Sequence, residues 1–145
     1  MGLFDSLKAL VGAGGAKVQL DDEPPAAGEA EAAVTALIAE VKQAVELELR
    51  EGCSDTYLEA VLERAALDAC TEVLTKTFGP PKKPFGERPA FDRSLSALID
   101  SKGGIEKGQC LFLRRYADER IAFAAFWPWS SGNEITLKLG VYATP

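Results

Sequence analysis

AEAAVTALIAEVKQAVELELRE (30–51) and, after Gly52 and Cys53, SDTYLEAVLERAALDACTEVLTKTF (54–78) decide the fold. In the first stretch Val34, Leu37, Ile38, Val41, Val45 and Leu49 recur at steps of three and four residues. Ala32, Ala33, Ala36, Ala39 and Ala44 add helix propensity, and Glu46 and Arg50 stand four apart, as an ion pair along a helix requires. In the second, Leu58, Val61, Leu62, Ala65, Ala69, Val73 and Leu74 fall on one apolar face. Gly52 suits the position that closes a helix, and Ser54 or Asp55 suits the cap of the next. The spacing predicts an antiparallel helical hairpin over 30–78.

Downstream, Gly79, Pro80, Pro81, Pro84 and Gly86 interrupt the helical pattern. Within 79–109, Asp92 is placed to cap a short third helix through Ile99, with Leu95, Leu98 and Ile99 turned inward and Gly103 and Gly104 ending it. From Cys110 the composition turns aromatic and β-branched. Cys110–Ala117, Arg120–Trp127 and Ile135–Ala143 read as three strands, joined at Asp118-Glu119 and at 130–133. The third alternates, with Ile135, Leu137, Leu139 and Val141 inward and Thr136, Lys138 and Tyr142 outward. The middle strand is apolar on both faces, so it belongs at the centre of the sheet with cover on each side.

Upstream, Leu3, Phe4, Leu7, Leu10 and Val11 form a stripe at helical spacing, ended by Gly12, Gly14 and Gly15. Residues 1–16 thus read as an amphipathic helix on a glycine-rich tether. Residues 17–29 read as a short strand followed by an acidic, proline-containing linker. The expected architecture is α+β: N-terminal amphipathic helix, long αα-hairpin, short third helix, then a three-stranded antiparallel β-meander. Residues 30–145 make one domain (30–78 hairpin, 79–109 loop and short helix, 110–145 meander).

A chain of 145 residues buries about two-thirds of the surface it exposes when unfolded, enough for a core without staples. With 47% hydrophobic and 26% charged residues it has globular composition. The three cysteines form no CxxC pair, the apolar stretch at 3–11 is too short and too often interrupted for a secretory signal, and no run is long enough to span a bilayer. The expected location is cytoplasmic, with reduced thiols. The net charge of −6 is uneven: residues 21–78 carry fourteen acids against four bases, residues 79–145 seven against ten. That asymmetry could orient the chain on a partner or on a second copy of itself.

There is no histidine. Its absence excludes Ser-His-Asp and Cys-His nucleophile systems and every histidine metal ligand. Cys53, read as adjacent to a helix start, is the one cysteine so placed for activation. Glu40, Glu59, Glu63 and Glu72 lack the Glu-x-x-His pattern of di-iron bundles, and Asp21-Asp22-Glu23 is no EF-hand loop. Residues 12–17 lack the Gly-Lys-Ser/Thr of a phosphate loop. No catalytic residue, cofactor or metal is expected. Arg114, Arg115, Arg120 and Lys138 interleave with Phe112, Tyr116, Phe123, Phe126, Trp127 and Trp129, the mixture that single-strand-binding sheets use. The acidic net charge opposes a phosphate backbone, and alternation sends many of these rings into the core, so no nucleic-acid partner is expected.

Two features are left for function. Pro128 between Trp127 and Trp129 ends ladder pairing and leaves two indoles at a strand end. The stripe of Leu3, Phe4, Leu7, Leu10 and Val11 contributes roughly 7–10 kcal/mol when buried. Ordering its backbone costs a comparable amount. Met1-Gly2 with Ser6 also fits the short N-myristoylation pattern. The expectation is a non-catalytic cytosolic protein–protein interaction or adaptor domain, with a protein partner or a second copy (a homo-dimer) meeting these residues. The alternative is a peripheral protein that meets a membrane surface through residues 2–11. No motif is specific enough to name a family. Size, acidity and α/β content are similar to those of bacterial type III secretion chaperones, a compositional likeness that assigns no residue.

Overall fold

The computed structural model describes residues 17–18, 24–86, 90–91, 99 and 108–142. Its elements are β1 (Lys17–Val18), α1 (Ala30–Ala44), β2 (Glu48–Leu49), β3 (Leu58–Glu63), a 3-10 turn (Arg64–Ala66) and α2 (Leu67–Phe78). They continue with β4 (Ala90–Phe91), β5 (Cys110–Arg115), β6 (Ile121–Pro128) and β7 (Glu134–Tyr142). Five strands form one antiparallel sheet in the order β2-β3-β7-β6-β5, and β1 pairs parallel with β4 apart from it.

The expected helical hairpin and three-stranded meander are therefore corrected to two α-helices, among the described residues, packed on a five-stranded sheet. The first helix stops at Ala44, and Val45 is extended (φ −139°, ψ 152°). From there Val45, Leu47 and Leu49 alternate with Glu46, Glu48 and Arg50, which is strand periodicity. Gly52, at φ +91°, turns the chain in a conformation that side chains resist. Residues Leu58 to Glu63 then pair along their whole length with β7, Leu58 opposite Leu139 and Glu63 opposite Glu134. Only 67–78 of the expected second helix is helical. Leu58, Ala60 and Leu62 lie inward as a period-two set, although Leu58, Val61 and Leu62 also match helical spacing. Docking against a nine-residue strand outweighs the helix propensity of Leu, Glu and Ala.

The three strands of the meander occur close to their expected bounds, and β6 lies between β7 and β5. The expected N-terminal helix over 1–16 lies outside the described residues. So does the expected third helix over 92–99, except Ile99, which is helical and buried. The linker is not a free tether throughout: Ala26 pairs with Tyr116, its N–H donating to Arg115 O at 2.9 Å and its carbonyl accepting from Ala117 N at 2.9 Å.

α1 and α2 cover one face of the sheet. Ala30, Val34, Leu37, Ile38 and Val41 of α1 and Cys70, Leu74 and Phe78 of α2 meet Leu58, Leu62, Ile135, Leu137, Leu139, Phe112 and Phe126. Phe112 stands edge-on to Phe126 at 6.1 Å and tilted to Phe78 at 5.8 Å, geometries that aromatic quadrupoles favour. The N-terminus of α1 receives its cap from a distant turn, since Ala30 N donates to Asp118 Oδ2 at 3.3 Å and Arg120 pairs with Glu31. That ties the helix start to the β5–β6 corner. The doubly apolar β6 has its second face buried within the chain as well. Leu111, Leu113, Ile121, Phe123, Ala125, Tyr142 and Ile99 form a second cluster there. The cover expected on each side of this strand thus comes from the chain itself.

Candidate functional site

Only part of that second face is closed. On the half carried by β3 and β7, the outward residues are Glu59, Val61 and Glu63 on one strand and Glu134, Thr136 and Lys138 on the other. Trp127 of β6 stands directly opposite Thr136. Trp129 follows in the turn, and its indole N–H donates to Thr136 Oγ1 at 2.8 Å. Both tryptophans expected at a strand-end corner are thus on one surface, with Trp129 37% exposed.

Pro128 remains in β6, opposite Ile135. Trp129 N donates to Glu134 O at 2.9 Å, so the ladder side of residue 129 is β7. By strand alternation residue 128 turns toward β5, whose first paired residue, Cys110, faces Phe126. The missing proline N–H therefore breaks no ladder bond.

Each indole carries a cation from this chain. Lys138 Nζ lies 3.7 Å from the Trp127 ring centroid and the Arg50 guanidinium 5.7 Å from that of Trp129, distances at which a ring quadrupole attracts positive charge. Glu59, opposite Lys138, accepts a 2.7 Å hydrogen bond from the Tyr57 hydroxyl. Burial first, and then that carboxylate, push the Tyr57 phenol above its ordinary range. The Trp127 indole N–H is buried and has no hydrogen-bond partner among the described residues. Its cost, of order 1–3 kcal/mol in a protein interior, is offset when an acceptor reaches it.

A second concavity lies beyond the edge of β3. It is an open groove of about 1060 Å³ between the C-terminal end of α1, β2, the 3-10 turn and the start of α2. Its walls include Val45, Leu47, Leu49, Leu62 and Ala69, and Glu46, Glu48, Glu63 and Glu134.

Other expectations resolve as follows. Leu3, Phe4, Leu7, Leu10 and Val11 lie outside the described residues. Cys53 is not at a helix start: it sits in the β2–β3 turn, its thiol donating to Arg50 O at 3.2 Å and Glu59 O at 3.3 Å. Cys70 and Cys110 are buried, and burial pushes both thiols up to about 12, Lys83 and the Phe85 backbone partly opposing it at Cys110. Phe112, Tyr116, Phe123 and Phe126 are core residues, closed to stacking with bases. Among the described residues no group of three or more Cys, Asp or Glu side chains is placed to hold a metal ion, and no helix is long and apolar enough to cross a membrane. Sequence reasoning missed Arg50 and Lys138 as the cations on the two indoles, and Glu59 as the residue opposite Lys138. The signal that could have found them is the alternation over 45–50 and 58–63.

A scan against protein-family models finds no match to this chain, and neither the curated proteins nor the solved structures yield one.

Proposed function

We propose that the protein is a non-catalytic protein-binding domain whose contact surface is the open half of the sheet around Trp127 and Trp129. One observation carries the reading: the Trp127 indole on β6 and the Trp129 indole in the turn after it, capped by Lys138 and Arg50, share one face of the sheet, Trp129 37% exposed and the buried Trp127 N–H without an acceptor among the described residues. Tryptophan, tyrosine and arginine dominate binding energy at protein interfaces, because they offer large rigid area at low entropic cost. Strands fix their positions better than loops do. The thiols of Cys70 and Cys110, buried and held protonated, fit a structural role rather than a nucleophilic one. The test is quantitative recovery of bound protein from an extract of the source by intact chain and by Trp127→Ala/Trp129→Ala chain of equal thermal stability. Loss of tenfold or more is the expected result. Equal recovery would remove this surface from the function.

A second reading, a peripheral membrane protein, rests on the helical spacing of Leu3, Phe4, Leu7, Leu10 and Val11. Liposome co-sedimentation of the intact chain against a chain beginning at Val18 decides it; equal sedimentation of the two ends the membrane case.

A further inference from the structure

Strand register sets the charge of the face on which the two indoles lie. Glu48 of β2 pairs with Val61, Glu63 stands opposite Glu134, Glu59 stands opposite Lys138, and Trp127 stands opposite Thr136, so all of these side chains share one side of the sheet. Trp129 joins them through its hydrogen bond to Thr136 Oγ1. Among the described residues the carboxylates of Glu48, Glu63 and Glu134 have no ion pair or hydrogen bond. Glu63 and Glu134 oppose each other directly, a like-charge pairing that destabilises a sheet. The cations of this face are already engaged elsewhere: Lys138 lies over Trp127, Arg50 lies over Trp129, and Arg64, in the turn after β3, donates to Gly132 O at 3.4 Å. Exposed aromatic area is thus bordered by negative charge that the chain leaves uncompensated.

Resting on the reading of Trp127 and Trp129 as a contact surface, we infer that the partner presents a basic, extended segment, its apolar side chains on the indoles and its arginines or lysines against Glu48, Glu63 and Glu134. Charge complementarity selects this class of occupant. The chain carries a net charge of −6, and acids on the face itself repel nucleic acid and anionic lipid while speeding encounter with a basic protein. A metal ion is not the complement, because no three of the described carboxylates and thiols are placed to hold one. The acids instead lie along neighbouring strands, where side chains on one face recur about every 7 Å. Alternate residues of an extended segment recur at a similar distance, so several of its cations can meet the glutamates together. Aromatic anchors ringed by charge are the usual arrangement of an interface that gains affinity from the rings and selectivity from the rim.

The probe is a fluorescein-labelled twelve-residue peptide of alternating arginine and proline, extended and soluble, titrated with the full chain by anisotropy beside its glutamate–proline counterpart. Saturable binding of the arginine peptide is expected, weakened at least fivefold by Trp129→Ala and at least fivefold by Glu48→Gln/Glu63→Gln/Glu134→Gln. The same charge change at exposed positions on the helices, Glu40→Gln/Asp68→Asn/Glu72→Gln, is expected to alter it less than twofold. Because Glu63 and Glu134 repel each other, the chain with glutamine at 48, 63 and 134 is expected to unfold no earlier on heating than the intact chain, so its lost binding is not lost folding. The inference is overturned if nothing saturates, if the glutamate peptide binds equally, or if the helix-side control weakens binding as much, since net charge alone would then explain it. Binding that Trp129→Ala leaves untouched overturns it as well. Recovery of protein from an extract separates this failure from that of the surface itself: recovery lost in Trp127→Ala/Trp129→Ala chain but undiminished by the three glutamine substitutions keeps the surface and overturns the basic partner.

Discussion

The outward face of the sheet has a closed half and an open half, and β6 and β7 run through both. Over β5 and β6, Leu111, Leu113, Ile121, Phe123 and Ala125 are buried with Ile99 among them, and Tyr142 stacks on Phe123 with ring centroids 4.3 Å apart. Over β3 and β7, Glu59, Thr136 and Lys138 keep partial contact with solvent, and Trp127 and Trp129 complete the surface. β6 and β7 serve both halves. What separates them is which residues occupy the outward positions, so one face is structural at one end and available for contact at the other.

Alkaline pH tests most strongly the helix-covered face of the sheet, opposite both halves. Cys110 on β5 and Cys70 on α2 are both raised by burial from an ordinary value near 9.0 to about 12. Above pH 9 the unfolded chain releases these protons while the folded chain keeps them, so the unfolded state binds fewer protons and stability falls as pH rises. Their contribution is complete below pH 9 and lost on the way to pH 12, at up to about 1.4 kcal/mol per pH unit for each thiol. The buried phenol of Tyr142 acts in the same direction. Urea unfolding under reducing conditions is expected to lose on the order of 5 kcal/mol between pH 9 and 12, and less in Cys70→Ala/Cys110→Ala chain. A flat profile would mean that water reaches the core beneath α1 and α2.

The boundary between the halves is Gly140. A Cβ added there would stand 2.9 Å from Tyr57 Cδ1 and 3.1 Å from Phe123 Cε1, so the position admits the Tyr57 ring over the sheet only because it lacks a side chain. Gly140→Ala is expected to cost about 1–3 kcal/mol by overpacking. The loss should shrink in a Tyr57→Ala background, where one of the two clashing rings is gone, and double-mutant thermal unfolding reads the coupling. Strict additivity would show that the Tyr57 ring does not crowd residue 140.

How much of this was legible follows residue by residue. Helix α1 and the three strands from Cys110 onward were readable because 34–41 carries one period only and 110–142 is rich in aromatic and β-branched side chains, but the centre of the sheet is β7, not the doubly apolar β6, because β3 adds to the far side of β7. Leu58 to Glu63 was not, because it satisfies both periods. The helical reading uses Leu58, Val61 and Leu62, the strand uses Leu58, Ala60 and Leu62, and the deciding partner, Ile135 to Leu139, lies more than seventy residues away. The oddity of Trp127 and Trp129 was visible from Pro128 alone. Their companions were hidden, because Arg50 and Glu59 come to this face only through strand pairing. The groove was hidden for the same reason: a hairpin over 30–78 places Glu46, Glu48 and Glu63 on solvated helix faces, with no β2 edge to gather them.

The smallest effect belongs to the open half and separates contact from support most cleanly. Lys138 caps Trp127 at 3.7 Å but lies on a face with solvent access, so Lys138→Ala is expected to cost only about 0.5–1 kcal/mol of stability. Arg50, 5.7 Å from Trp129 and exposed, should cost less still when replaced by alanine. The spectroscopic change should be larger than the thermodynamic one, since removing an ammonium from an indole face alters its emission while β6 and β7 stay paired. Equilibrium unfolding followed at once by tryptophan fluorescence and far-ultraviolet dichroism checks both. A loss above about 2 kcal/mol exceeds what an exposed cation–π pair supplies, and would make Lys138 part of the framework that holds the sheet rather than of the surface it presents.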